Sequence, residues 1–171
     1  MDANQAKFLA EHYARVIENE IPVTKKVLQA VGKGNGDYKP DPKSRSAIQL
    51  ARHIATADNW FVGSTLEGKF VFDPAAAEKA EAGLGSADNA AAFYEQGMRD
   101  KVAQLRAASP EQLTREVDFF GMWKAPAVTF LTLAQNHSVH HRGQLAAYLR
   151  AMGSAVPAIY GGSADEPMQG A

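Results

Sequence analysis

The sequence predicts an all-α fold, a bundle of four long helices, and three observations predict it. Four stretches carry apolar residues at spacings of three and four, the period of a helix buried along one face. No stretch alternates apolar and polar residues convincingly enough for a sheet. The chain of 171 residues fits one domain, and at that length a fold buries roughly 70% of the surface its unfolded form exposes, so no disulfide is needed. Residues 1–171 are therefore read as a single domain, with a tail from about residue 154 docked on the bundle and its last residues frayed.

The first helix is expected over residues 3–31, where Leu9, Tyr13, Val16, Ile17, Ile21, Thr24, Leu28 and Val31 form one stripe. Pro22 removes a hydrogen bond inside it and predicts a kink. Gly32, Gly34, Asn35 and Gly36 end it. Tyr38 to Pro42 reads as extended, because residues before proline avoid the α region. Ser44 or Ser46 can cap the second helix, expected to run to about Ser64. Its inward face reads Gln49, Leu50, His53, Ala57, Trp60 and Phe61, which places His53 in the middle of the buried stripe. Residues 65–86 read as a looser link, broken at Asp73-Pro74. The third helix is expected over 87–108, with Ala91, Tyr94, Met98, Val102 and Leu105 in register. Ser109-Pro110 is a stop or a fresh start. Residues 113–124 read as an irregular or partly extended crossover. The fourth helix is expected from near Pro126 to Gly153.

Composition excludes several function classes. There is no cysteine, so zinc fingers, iron–sulfur ligation and thiol nucleophiles of the chain's own are ruled out, and a reducing cytoplasmic setting is expected. The formal net charge is −1 with no basic run, the opposite of a nucleic-acid footprint. Asp2, Lys7, Glu11 and Arg15 in the first turns argue against a signal peptide or a membrane span.

Three of the five histidines lie within five residues of the fourth helix. Residues four apart share a helical face, so His137 and His141 point the same way about one turn apart. On a helical wheel Phe130, Leu133, His137, His141, Gln144 and Tyr148 fall within about 60° of one direction, and Arg142 points away by more than a right angle. Two imidazoles at this spacing can grip one metal ion, and His53 on the facing helix is the candidate third ligand. A catalytic metal commonly takes three protein ligands and keeps an open position. The pair His137 and His140 is the competing choice, which the wheel disfavours only narrowly. His12 reads as a surface or interface residue. A His-Glu-x-x-His zincin motif fails at Ser138. The Glu-x-x-His pattern of di-iron bundles fails at Leu50 and Ala134. Neither a phosphate loop nor a nucleophile elbow is present. Trp60, Phe130, Gln144 and Tyr148 are the candidate residues around a pocket.

His137-Ser138-Val139-His140-His141-Arg142-Gly143-Gln144 resembles the His-x-x-x-His-Arg-Gly-Gln signature of the DinB-like (YfiT-like) family, which is distinct from the DNA polymerase of similar name. Ala51 to Phe61, Asp41 to Ser46, and Val156-Pro157-Ala158-Ile159-Tyr160-Gly161 are similar to further family segments. The resemblance covers about Glu20 to Tyr160. It implies an up-down four-helix bundle, a homodimer, and a divalent metal such as nickel or zinc on His53, His137 and His141, which decides against His140. It also implies a reaction that uses an external low-molecular-weight thiol, as in mycothiol-dependent isomerases and bacillithiol S-transferases. A metal lowers the pKa of a bound thiol and makes a thiolate at neutral pH. The alternatives are a metal-dependent hydrolase acting through bound water and a non-catalytic bundle that binds a metal or a small molecule. Each enzymatic reading has a small-molecule substrate.

Overall fold

The computed structural model describes residues 1–168, and the expectation of frayed last residues falls on 169–171, outside them. The chain is mostly helical. Helix α1 (Ala3–Val31) starts in a capping box, in which Asp2 accepts from the Gln5 amide and the Gln5 side chain accepts from the Asp2 amide. It continues across Pro22 and buries Ala6, Ala10, Ala14, Ile17, Ile21, Thr24, Leu28 and Val31 along one side. Helix α2 (Ala47–Glu67) is capped by Ser46 with Gln49 and ends at Gly68, whose φ of 73° suits a residue without a Cβ.

The expected link then proves to contain a helix. In α3 (Pro74–Gly83), Asp73 accepts from the amides of Ala75 and Ala76, and Pro74 takes the first helical position. The Asp-Pro pair read as a break is therefore a helix start. None of its residues is buried, which is why no apolar period announces it. Helix α4 (Ala87–Ala107) follows, then the short α5 (Pro110–Thr114). The expected crossover is a hairpin, β1 (Glu116–Phe119) antiparallel to β2 (Trp123–Pro126), with Val117 opposite Ala125 and Phe119 opposite Trp123. A 3-10 turn (Ala127–Phe130) leads into α6 (Leu131–Ala151).

The major contacts run from α1 to α4, α4 to α2, α2 to α6 and α6 back to α1, while α1 and α2 touch only lightly. The order around the bundle is thus not the order along the chain. The main core lies between these four helices, and a smaller one gathers Phe70, Val117, Ala127 and Phe130 under the hairpin.

The buried faces of α2 and α6 differ from those read off the wheel. In α2 the buried residues are Ala47, Leu50, Ala51, Ile54, Ala55, Asp58, Val62, Ser64 and Thr65, and His53 sits half-buried at the edge of that stripe. In α6 they are Leu131, Ala134, Ser138, Arg142, Leu145, Tyr148 and Leu149. Arg142 does point away from the histidines, but into the interior. Its guanidinium, 1% exposed, donates to Glu20, to Thr24 Oγ1 at 2.9 Å and to Tyr160 Oη, and lies 5.0 Å from the Tyr160 ring centroid. One buried charge thereby ties α1, α6 and the tail together.

Candidate metal centre

Helix α2 presents His53 and α6 presents His137 and His141 across their shared interface. The ring centroids lie 5.3 Å (His53–His137), 4.9 Å (His53–His141) and 4.5 Å (His137–His141) apart. One ring nitrogen from each lies within 4.8 Å of the others, so the trio could hold a metal ion. All three are half-buried. His140 is exposed and outside the trio, and His12 is exposed on α1.

Each ring is braced from behind by an oxygen. His53 Nδ1 donates to Glu81 Oε1 at 2.9 Å, His137 Nδ1 to Asp58 Oδ1 at 3.2 Å, and His141 Nδ1 to Gln144 Oε1 at 3.1 Å. Carboxylates only accept, so the proton sits on Nδ1 of His53 and His137. Gln144 Nε2 donates to Tyr148 Oη at 3.2 Å, which turns its carbonyl oxygen toward His141. In each ring the contact uses Nδ1 and leaves Nε2 for another partner. Histidines that bind metals are oriented by outer hydrogen bonds of this kind. Burial pushes His141 down to about 4, against the Gln144 hydrogen bond and with help from the neighbouring imidazoles. Burial likewise lowers His53, and the Glu81 hydrogen bond only partly offsets it. Both rings are therefore neutral at pH 7, the form that ligates.

Beside His53 lies a cleft of about 620 Å³ between α2 and α3, lined among others by Arg45, Trp60, Phe72, Ala77 and Glu81. Of the four candidate pocket residues, Trp60 lines this cleft, its indole Nε1 donating to Val71 O at 2.9 Å. Phe130 does not; it is fully buried in the smaller core with Phe70 and Val117. Gln144 holds His141, and Tyr148, 6% exposed, holds Gln144 and packs edge-on to Tyr38. Sequence reasoning missed Asp58 and Glu81. Asp58 sits on α2 in the same buried stripe as Ile54 and Val62, where a lone carboxylate is itself a signal. Glu81 carried no signal, because its helix was not recognised.

A mostly helical chain that brings three imidazoles from two helices within reach of one another defines a helical protein with a three-histidine site able to hold a metal ion. The sequence profile of the DinB family matches residues 2–169, and the chain belongs to that family. It is 34% identical over 134 residues to an uncharacterized protein of Bacillus subtilis (strain 168), YjoA, spanning 77% of this chain and 82% of that one. The crystal structure of YjoA superposes with a TM-score of 0.66 at 28% identity, covering 86% of this chain and 96% of that one. A DinB-like protein from Bacillus cereus ATCC 10987 gives a TM-score of 0.68 at 27% identity, over 86% and 95% of the two chains. A variant of mycothiol-dependent maleylpyruvate isomerase shares the fold at a TM-score of 0.53 and 13% identity, over 92% of this chain and 65% of that one.

Proposed function

We propose that the chain is a metalloenzyme that transfers or isomerises a small-molecule electrophile with the help of an external low-molecular-weight thiol. His53, His137 and His141 would hold the divalent cation, zinc or nickel, through Nε2. The observation that carries this reading is that the three rings, each braced at Nδ1 by Glu81, Asp58 or Gln144, bring one nitrogen apiece within 4.8 Å of the others. Without a cation, three desolvated imidazoles facing one another would be poorly satisfied. A bound cation would supply acidity toward a thiol, making a thiolate at neutral pH. The chain's own residues do the rest. Glu81, Asp58 and Gln144 fix ring orientation and tautomer, and Trp60 and Phe72 wall the apolar side of the neighbouring cleft. The thiol reading draws support from the fold shared with a mycothiol-dependent isomerase.

A hydrolase ranks second, because it needs a free base beside a bound water and the carboxylates Glu81 and Asp58 are already engaged by imidazoles. A homodimer belongs to the proposal; the exposed Phe8 on α1, beside Leu9, supports it.

The test is elemental analysis of the purified protein, followed by cobalt substitution and titration with small thiols. One equivalent of metal per chain and a thiol-dependent change in the cobalt spectrum are expected. Metal without any thiol response, together with metal-dependent turnover of an ester or amide panel, would transfer the assignment to the hydrolase.

A further inference from the structure

The cleft beside His53 says what it can hold. Its apolar walls are Trp60 on α2, Val71 and Phe72 on the connection, and Ala76, Ala77 and Ala80 on α3. At about 620 Å³ it is in the range that takes a drug-sized molecule. Its charges are unbalanced. Among the described residues of the lining, Arg45 is the lone Lys or Arg, against three carboxylates, Asp73, Glu78 and Glu81. Arg45 is also already engaged, its Nη1 donating to Glu81 Oε2 at 3.2 Å. Glu81 meanwhile accepts from His53 through its other oxygen. An anionic ligand entering the cleft would meet the charges of Glu78 and Asp73, and would gain little from Arg45, whose charge Glu81 already offsets. A neutral apolar ligand meets no such cost and gains the burial of its rings against Trp60 and Phe72.

We infer that this cleft is a binding site for neutral, ring-bearing apolar molecules and discriminates against carboxylates. That such a molecule is the electrophile of the reaction rests on the proposed function; that it binds does not. Glu81 serves twice: one oxygen braces His53, and the other offsets the charge of Arg45.

The chain has two tryptophans, so the indole N–H of Trp60 is a clean NMR reporter once Trp123→Phe assigns the pair. The protein, as purified and again after chelation, is titrated with 2-naphthalenemethanol and with 2-naphthoate, probes of equal ring size and different charge. The alcohol is expected to shift the Trp60 signal saturably in both preparations, and the naphthoate to bind at least about tenfold more weakly after chelation, when no cation on the histidines adds positive charge beside the cleft, a discrimination of the size one misplaced charge produces. Ala80→Phe, which fills the cleft from an exposed position of α3, should abolish the shift while the melting temperature stays within a degree or two. Equal or tighter naphthoate binding after chelation, an unchanged shift in Ala80→Phe, loss of alcohol binding on chelation, or no Trp60 shift at all would each overturn the inference. None of these readouts depends on thiol chemistry, so the two claims fail separately.

Discussion

At the scale of single residues, the imidazoles matter less for what they are than for what stands behind them. Glu81→Gln and Asp58→Asn keep shape but remove the carboxylate acceptor that fixes each tautomer, and each is expected to weaken metal binding about 10–100-fold. Competition with a chromophoric chelator measures it, and unchanged affinity in both variants would show that the braces are incidental. Protonation gives a second prediction. Folding depresses His141 to about 4 from an ordinary 6.5 and lowers His53 as well, so the folded, metal-free chain binds fewer protons than the unfolded one. Stability contributed by these rings is complete above about pH 6.5 and declines as pH falls from there toward 4. Urea midpoints of the chelated protein should drop across that window, and His141→Gln should flatten the drop. Arg142 supplies a third. Its replacement by methionine leaves Glu20 facing the interior without its partner and is expected to cost roughly 2–4 kcal/mol, somewhat under the full penalty for breaking a buried pair because Glu20 keeps some solvent. Chemical denaturation reads this directly. The sequence marked Arg142 as pointing away from the histidines but not as buried, since nothing in the letters announces that Glu20, Thr24 and Tyr160 converge on it.

At the scale of elements, the four long helices were legible because each carries apolar residues at helical spacing. Ser46 announces α2, the series Ala91, Tyr94, Met98, Val102, Leu105 carries α4, and the aliphatic series Ile17, Ile21, Leu28 carries α1. Helix α3 was hidden because the same reasoning looks for a buried face and α3 has none. Its Ala, Glu and Lys content and its cap are what hold it. Asp73→Ala should therefore destabilise α3 locally by about 1 kcal/mol. Amide exchange across Pro74–Gly83 should quicken while the bundle's melting temperature barely moves; a large drop in melting temperature would contradict the peripheral position of α3. The hairpin was read only as an irregular or partly extended crossover for a related reason: of its strand residues Val117 alone is buried, so no alternation is written into it. The register of α2 and α6 was misjudged because Asp58, Ser138 and Arg142 occupy buried positions that a hydrophobicity pattern assigns to solvent.

At the scale of the whole molecule, the main core is built chiefly from the four long helices, and the three histidines stand half-buried beside it. Metal removal should consequently lower stability without abolishing the fold. A cation present at about 100 times its dissociation constant adds about 2.7 kcal/mol, and for a chain of this size that corresponds to a melting shift of roughly 5–11 °C. Calorimetry before and after chelation should show one cooperative transition that moves by that order; a chelated chain without any cooperative transition would make the metal structural. The letters were enough to establish the helical class, the four long helices and the turn-apart pairing of His137 with His141, because caps and the 3.6-residue period are local properties of the backbone. They could not establish the order of helices around the bundle, the cleft under α3, or the partners Glu81 and Asp58, which reach their histidines across 28 and 79 residues of chain. Those contacts exist only once the helices have packed, since a side chain's neighbours across an interface depend on the crossing of two helices and on neither sequence by itself.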